Sequence, residues 1–98
     1  MTMENNFEKP EVRLVNALIR NGMKIATAES CTGGMIASRI TSVAGASGCF
    51  DCGVITYSNE QKNRLLNVSQ ETLDSKGAVS EETALQMCEG VRVLARAD

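Results

Sequence analysis

Two short polar segments of this sequence carry the side chains best suited to chemistry. The first, residues 29–34 (ESCTGG), offers a hydroxyl, a thiol and two glycines that let a ligand approach the backbone closely. The second, residues 57–62 (YSNEQK), contains Tyr57 and Lys62. A neutral lysine amine can take the proton of a serine hydroxyl, so Ser30 and Lys62 form a candidate nucleophile pair.

Each of these residues also has an ordinary structural interpretation. Lys62 fits an exposed helix surface, and Tyr57 fits a packed ring with a hydrated hydroxyl. The backbone amides of segment 29–34 could hold a phosphate or an oxyanion, but polar loops with glycine are common. The segment also lacks the Lys-Ser/Thr ending of a Walker A loop. Spacing alone therefore leaves a nucleophile pair, an anion-binding loop and an ordinary surface as alternatives.

The composition restricts the chemistry. The 98 residues include no histidine, which excludes Ser-His-Asp and Cys-His catalysis and histidine-ligated zinc within this chain. The net charge is −2 and the basic residues are scattered, so we expect no binding to nucleic acid. The sequence has neither a long apolar run nor the pattern of a signal peptide, so we expect a cytoplasmic protein without membrane contact.

The four cysteines leave one alternative open. Cys49 and Cys52 have the CxxC spacing of a redox pair or of half a zinc site. A closed zinc site needs four ligands, however, and Cys31 and Cys88 stand alone in the sequence. The simpler interpretation is that Cys52 is a small buried residue of a strand. We predict neither a metal nor a cofactor.

Hydropathy patterns predict the elements that position segments 29–34 and 57–62. Residues 1–9 are polar and unpatterned, and we expect them to be a flexible lead. Helices are predicted at 10–20, from residue 35 onwards, and after Ser58 through residue 66. Strands are predicted at 23–28 and 49–57, and a short helical or irregular connector at 67–77.

Two serines are predicted to begin helices. Ser58, with Gln61 three residues later, fits a capping box at the start of the helix that contains Lys62. Ser80 is expected to cap a final long helix. The predicted apolar face of that helix comprises Ala84, Met87, Cys88, Val91, Leu94 and Ala95.

Helices that alternate with two strands predict an α/β fold with parallel strands. Ligands of parallel sheets bind at the carboxyl ends of the strands, where both polar segments fall. Because parallel sheets are covered on both faces and usually have several strands, we expect the chain to be the first part of a larger α/β unit that is either truncated or completed by a partner. An unpaired sheet edge would make the chain a homo-oligomer.

Four segments make the resemblance to a known family specific: 28–34 (AESCTGG), 41–47 (TSVAGAS), 53–62 (GVITYSNEQK) and 77–82 (GAVSEE). In this order they resemble the C-terminal domain of CinA, the competence/damage-inducible protein, a family of bacterial nicotinamide-nucleotide amidohydrolases. The resemblance covers about residues 11–98. The sequence departs from the family pattern because it lacks the later TGIAGP-x-GG segment and the Lys-Pro-Val-Gly-Thr-Val block. The resemblance therefore implies that residues 10–98 are the N-terminal portion of the family's α/β/α domain, truncated after its first two strands and their helices.

The resemblance implies a three-layer α/β/α domain that hydrolyses nicotinamide mononucleotide to nicotinate mononucleotide and ammonia without a metal. It implies that Ser30 is the nucleophile, Lys62 the general base and Tyr57 an active-site residue. The alternative is a non-catalytic nucleotide-binding or protein-interaction module of the same family. The other residues that we expect to contact the substrate or its oxyanion are Glu29, Cys31, Thr32, Gly33, Gly34, Ser58 and Asn59.

Overall fold

A computed structural model describes residues 8–98, which form two strands and five helices. The predicted lead at 1–9 therefore lies mostly outside the described residues. The helices are α1 (Pro10–Arg20), α2 (Met35–Thr41), α3 (Asn59–Leu66), α4 (Gln70–Lys76) and α5 (Glu81–Ala95), and the strands are β1 (Ile25–Glu29) and β2 (Phe50–Ile55). The order of elements agrees with the α/β prediction, and α4 lies within the predicted connector.

The two strands pair in parallel, as predicted, with Thr27 opposite Gly53 and Glu29 opposite Ile55. The amide of Thr56 donates to the carbonyl of Glu29 at 2.9 Å and extends the pairing to the end of both strands. Since the strands end side by side, the segments that follow them begin at the same edge of the sheet.

Helices cover both faces of this small sheet, which gives the three layers of an α/β/α domain. Successive residues of a strand point to opposite faces, so Ile25 packs towards α1 and α2 whereas Ala26 packs towards α3 and α5. The core on the first face contains Val15, Ile40, Ala46 and Cys49. The core on the second face contains Leu66, Val68, Leu73, Met87 and Val91.

Serine side chains cap three of the helices. The hydroxyls of Ser58 and Ser80 accept the amides of Gln61 and Thr83, and these two caps confirm the sequence prediction. Ser69 caps α4 in the same way. Helix α2 is different because its N-cap residue is a glycine and has no side chain to accept a hydrogen bond.

The buried face of α5 differs from the predicted one. Ala84, Cys88 and Leu94 are exposed, and the buried residues are Thr83, Met87 and Val91. Thr83 tolerates burial because its hydroxyl donates to the carbonyl of Gly77 at 2.7 Å. The prediction included Met87 and Val91, and it missed Thr83 because it counted only apolar residues.

On the same helix, Gly90 lies directly against the backbone of α3. A Cβ atom at Gly90 would overlap the carbonyl oxygen and Cα of Leu66. The close approach of the two helices therefore depends on a glycine at this position.

The cysteines are all free: Cys49 is buried, Cys52 in β2 is half-buried, and Cys31 and Cys88 are exposed. Across residues 8–98, no group of three or more histidine, cysteine or acidic side chains is arranged to hold a metal ion. None of the helices in this part of the chain has the length and apolar character needed to cross a membrane.

Candidate active site

The amine of Lys62 lies 3.0 Å from the hydroxyl oxygen of Ser30. Ser30 is the first residue after β1, and Lys62 lies in the first half of α3, so the parallel sheet brings them together at its carboxyl edge. Lys62 is only 2% exposed. A buried lysine in contact with a serine hydroxyl is the arrangement that a serine–lysine nucleophile pair requires.

Two backbone carbonyls hold the amine of Lys62 in place. Its Nζ donates to the carbonyl of Thr56 at 2.8 Å and lies 3.4 Å from the carbonyl of Tyr57. Both carbonyls belong to the turn between β2 and α3, which ends at the N-cap Ser58. Because the cap begins the helix at a fixed residue, the side chain of Lys62 folds back over the turn that precedes it.

Glu29, the last residue of β1, has a buried carboxylate that accepts three hydrogen bonds. Its Oε1 accepts the hydroxyl of Thr32 at 2.7 Å and the amide of Ile36 at 3.0 Å, and its Oε2 accepts the amide of Ala37 at 3.0 Å. Glu29 is 3% exposed. Glu29 was predicted to bind substrate, and the structure places its carboxylate among these three donors.

The pKa of Glu29 lies below its ordinary value of 4.5. Burial acts to raise the pKa of this carboxyl, but hydrogen bonds from the amides of Ile36 and Ala37 and from the hydroxyl of Thr32 outweigh it. Glu29 is therefore ionised at neutral pH, and its negative charge lies at the amino end of α2.

The turn between β1 and α2 is tight and mostly exposed. The amide of Gly33 donates to the carbonyl of Ser30 at 3.0 Å, and both Gly33 and Gly34 have positive φ angles, of 63° and 101°. Cys31 and Thr32 are exposed beside Ser30. Positive φ angles at two successive positions explain why this turn needs its two glycines.

The amides of this turn are unequally available to a ligand. The amide of Gly33 is engaged by Ser30, and the first amides of α2 are engaged by Glu29. Within the described part of the chain, the amides of Cys31 and Thr32 have no protein acceptor. We expected the amides of residues 32–34 to bind an oxyanion, and of these the amide of Thr32 is free whereas that of Gly33 is engaged.

The remaining predicted residues lie at the same edge of the sheet. Tyr57 contributes its carbonyl to the lysine contact, while the residue is 76% exposed and its ring faces solvent. Ser58 uses its hydroxyl as a helix cap, and Asn59 is exposed at the start of α3. The role of the Thr56 carbonyl was missed, because a backbone group leaves no signal in residue type.

The fold and the site together define an α/β/α domain with a serine–lysine pair at the carboxyl ends of two parallel strands. The chain belongs to the CinA C-terminal domain family, whose family model matches residues 7–98. This finding confirms the resemblance that the four sequence segments indicated.

Proteins whose names refer to CinA or to competence-damage induction are similar to this chain in sequence. A putative competence-damage inducible protein of Caldanaerobacter subterraneus subsp. tengcongensis is 54% identical over 91 residues, which make up 93% of this chain and 22% of that protein. A CinA-like protein of Kosmotoga olearia is 52% identical over 91 residues, with the same coverage. The chain thus spans about a fifth of the length of the curated relatives it matches.

Solved structures of the superfamily share the fold. A CinA superfamily protein of Klebsiella pneumoniae has a TM-score of 0.87 and 42% identity over 90% of this chain and 55% of its own. One from Escherichia coli has a TM-score of 0.88 and 30% identity over 100% of this chain and 63% of its own. The chain therefore covers between half and two thirds of these solved domains.

Proposed function

We propose that the site of this chain hydrolyses the carboxamide of nicotinamide mononucleotide to nicotinate mononucleotide and ammonia, in the salvage of pyridine nucleotides. The observation that carries the proposal is the 3.0 Å contact between the buried amine of Lys62 and the hydroxyl of Ser30. Family membership supports it, because the amidohydrolase resemblance assigns the nucleophile and the base to these two residues.

The first half of the reaction acylates Ser30. Neutral Lys62 accepts the hydroxyl proton while the Ser30 oxygen attacks the carboxamide carbon, and the amide oxygen becomes an oxyanion. The free amides of Cys31 and Thr32 are placed beside Ser30 and stabilise this charge. Lys62 then returns the proton to the departing nitrogen, the carbon–nitrogen bond breaks and ammonia leaves.

The second half restores the serine. A water molecule attacks the ester carbon of the acylated Ser30 and gives a proton to Lys62. The carbon–oxygen bond to Ser30 breaks, and Lys62 returns the proton to the serine oxygen. Atoms and charge balance with water as the only co-reactant, so the proposal requires neither a metal nor a cofactor.

Tyr57 is proposed to contact the substrate rather than the base. Its ring is exposed at the edge of the sheet where Ser30 lies, and its carbonyl already faces the amine of Lys62. A ring in this position can face the positively charged pyridinium of the substrate, a contact worth about 0.5–2 kcal/mol. Ser58 and Asn59, at the start of α3, are proposed to contact the nucleotide with their polar groups.

Ammonia release from nicotinamide mononucleotide tests the proposal. We expect release by the unchanged chain and its loss in Ser30→Ala and Lys62→Ala. Matched controls are Ser75→Ala and Lys76→Ala, which change an exposed serine and an exposed lysine of α4 and leave release intact. Unchanged release in either site variant would contradict the serine–lysine mechanism.

A second candidate function is a non-catalytic module that binds a nucleotide or another protein chain. The observation that favours it is coverage, because the chain corresponds to 55% of the Klebsiella pneumoniae domain. Calorimetric binding of nicotinamide mononucleotide without ammonia release, by a chain shown to be folded, would favour this module over the hydrolase.

We also propose that the protein is a cytoplasmic homo-oligomer. Its four free thiols suit a reducing compartment. The amide of Ile25 donates to the carbonyl of Cys49, and the carbonyl of Glu29 accepts the amide of Thr56, at the two ends of β2. The alternate residues Ala26 and Ala28 direct their backbone groups to the other edge of β1, which pairs with no strand within residues 8–98. Such an edge favours pairing with another chain. Light scattering that gives a monomer mass at all concentrations would contradict the oligomer.

A further inference from the structure

Glu29 joins three parts of the structure that meet at Ser30. It ends β1, its Oε1 accepts the side chain of Thr32 in the turn, and both carboxylate oxygens accept amides of α2. Ser30 is the residue that immediately follows it. Any shift of the turn or of α2 relative to the strand must therefore stretch a hydrogen bond to Glu29.

Helix α2 needs this carboxylate because it has no cap of its own. Its N-cap is Gly34, at a φ of 101°, and no side chain there accepts a hydrogen bond. The first amides of a helix require an acceptor, which Glu29 supplies from the preceding strand. Two backbone hydrogen bonds also restrain the turn, from the Gly33 amide to the Ser30 carbonyl and from the Met35 amide to the Thr32 carbonyl.

We infer that Glu29 is a positioning residue for Ser30: its carboxylate fixes the turn and the start of α2, and the substrate does not touch it. The inference rests on the proposed function and goes beyond it, since it separates the placement of the nucleophile from the binding of the nucleotide. Three donors already occupy the carboxylate, which is 3% exposed.

The charge of Glu29 has a second effect on the site. An ionised carboxylate at the amino end of α2 offsets the partial positive charge that a helix carries there. The start of α2 is therefore not available to the phosphate of a nucleotide. Recognition of that phosphate falls to other groups, and replacing Glu29 is expected to leave nucleotide affinity unchanged.

The test measures how fast Ser30 reacts with a fluorophosphonate probe, with adducts identified by mass spectrometry. The serine oxygen bonds to phosphorus, the phosphorus–fluorine bond breaks, fluoride leaves and Lys62 takes the proton. The variants are Glu29→Gln and, as a matched control, Glu71→Gln, which changes an exposed glutamate in the first turn of α4. Each is also labelled in the presence of nicotinamide mononucleotide, to find the half-protecting concentration, which is the nucleotide concentration that halves the rate of labelling.

We expect Glu29→Gln to slow labelling by about tenfold to a hundredfold, since small displacements of a nucleophile are costly. The half-protecting concentration should stay within about twofold, and Glu71→Gln should change neither quantity. A higher half-protecting concentration with unchanged labelling would show that Glu29 binds substrate, and this would overturn the inference. Unchanged labelling and protection would overturn it as well.

Two further results separate this inference from the proposed function. If the nucleotide gives no protection even to the unchanged chain, the proposed substrate is wrong, while the labelling rates still decide whether Glu29 positions Ser30. If Glu29→Gln fails to fold by circular dichroism, Thr32→Val takes its place, because Thr32 is exposed and donates its hydroxyl to Glu29. Slower labelling of Thr32→Val would support the inference, and unchanged labelling would overturn it.

Discussion

The amine of Lys62 and the hydroxyl of Ser30 meet at 3.0 Å although 32 residues separate them in the chain. The amine also donates to the carbonyl of Thr56 at 2.8 Å. Ser30 and Thr56 follow neighbouring parallel strands, so the register of the sheet determines the distance between the two reactive groups. This relationship leads to predictions about the pair and about the structure around it.

Replacing Lys62 by methionine should separate reactivity from stability. Lys62→Met keeps an unbranched side chain and removes an amine that is 2% exposed. Ser30 labelling by the fluorophosphonate should fall by about a hundredfold or more, because the general base is lost. The free energy of unfolding, from urea titration, should fall by about 1–3 kcal/mol, since the buried carbonyl of Thr56 loses its donor. A loss above about 3 kcal/mol would contradict this prediction.

The contribution of Glu29 to stability should depend on pH. Its folded pKa lies below the ordinary 4.5, so the stabilisation is present above that value and is lost as the pH falls through the folded pKa. We expect Glu29→Gln to unfold about 1–3 kcal/mol more easily at neutral pH, and this difference should shrink in acid below 4.5. Urea titrations of both proteins across this range provide the measurement. A difference that is the same at neutral and acid pH would contradict it.

Gly90 should tolerate no side chain. In Gly90→Ala the new methyl group would overlap the backbone of Leu66, and we expect a loss of about 3 kcal/mol or more in unfolding free energy. Gly22→Ala is the control: nothing lies within 4 Å of its added Cβ, and only the positive φ of 65° resists alanine. That control should lose about 1 kcal/mol. Similar losses in the two variants, measured by thermal or urea unfolding, would show that α3 and α5 can separate at little cost.

Thr27 and Thr83 should respond in opposite ways to replacement by valine. The hydroxyl of Thr27 is buried with no hydrogen-bond partner among the described residues, so Thr27→Val should raise the free energy of unfolding by about 1 kcal/mol. Thr83 is also buried, but its hydroxyl donates to the carbonyl of Gly77, and Thr83→Val should lower the free energy of unfolding by about 1–2 kcal/mol. Urea unfolding of both variants checks the signs, and destabilisation by both would refute the prediction for Thr27.

Features with a local cause were predictable from the sequence. Ser58 and Ser80 begin helices because their side chains accept amides three residues later, an interaction contained within four residues of chain. Pro10 begins α1, and Asn21 follows its last residue, as the pattern of helix signals predicted. Parallel pairing of β1 and β2 followed from the helix between them.

Features that depend on distant partners were not predictable in the same way. The spacing of residues allowed Lys62 to be an ordinary surface lysine, and only the family resemblance joined it to Ser30. The hydrogen bonds of Glu29 to α2 cannot be seen in a sequence pattern, and the expected contact of Glu29 with substrate stays a prediction. One signal was available: a helix whose N-cap is Gly34 lacks a capping side chain, and the nearest preceding carboxylate in the sequence is Glu29.

The carbonyl contacts of Lys62 also link the chemistry to local unfolding. Opening of the short turn at Thr56 and Tyr57 would release the amine and remove the base from Ser30, while both hydrophobic cores stay intact. Such small openings require less free energy than global unfolding. The reactivity of Ser30 is therefore expected to disappear at lower denaturant concentrations than the helical circular dichroism signal. Labelling of Ser30 would then report whether that turn is folded.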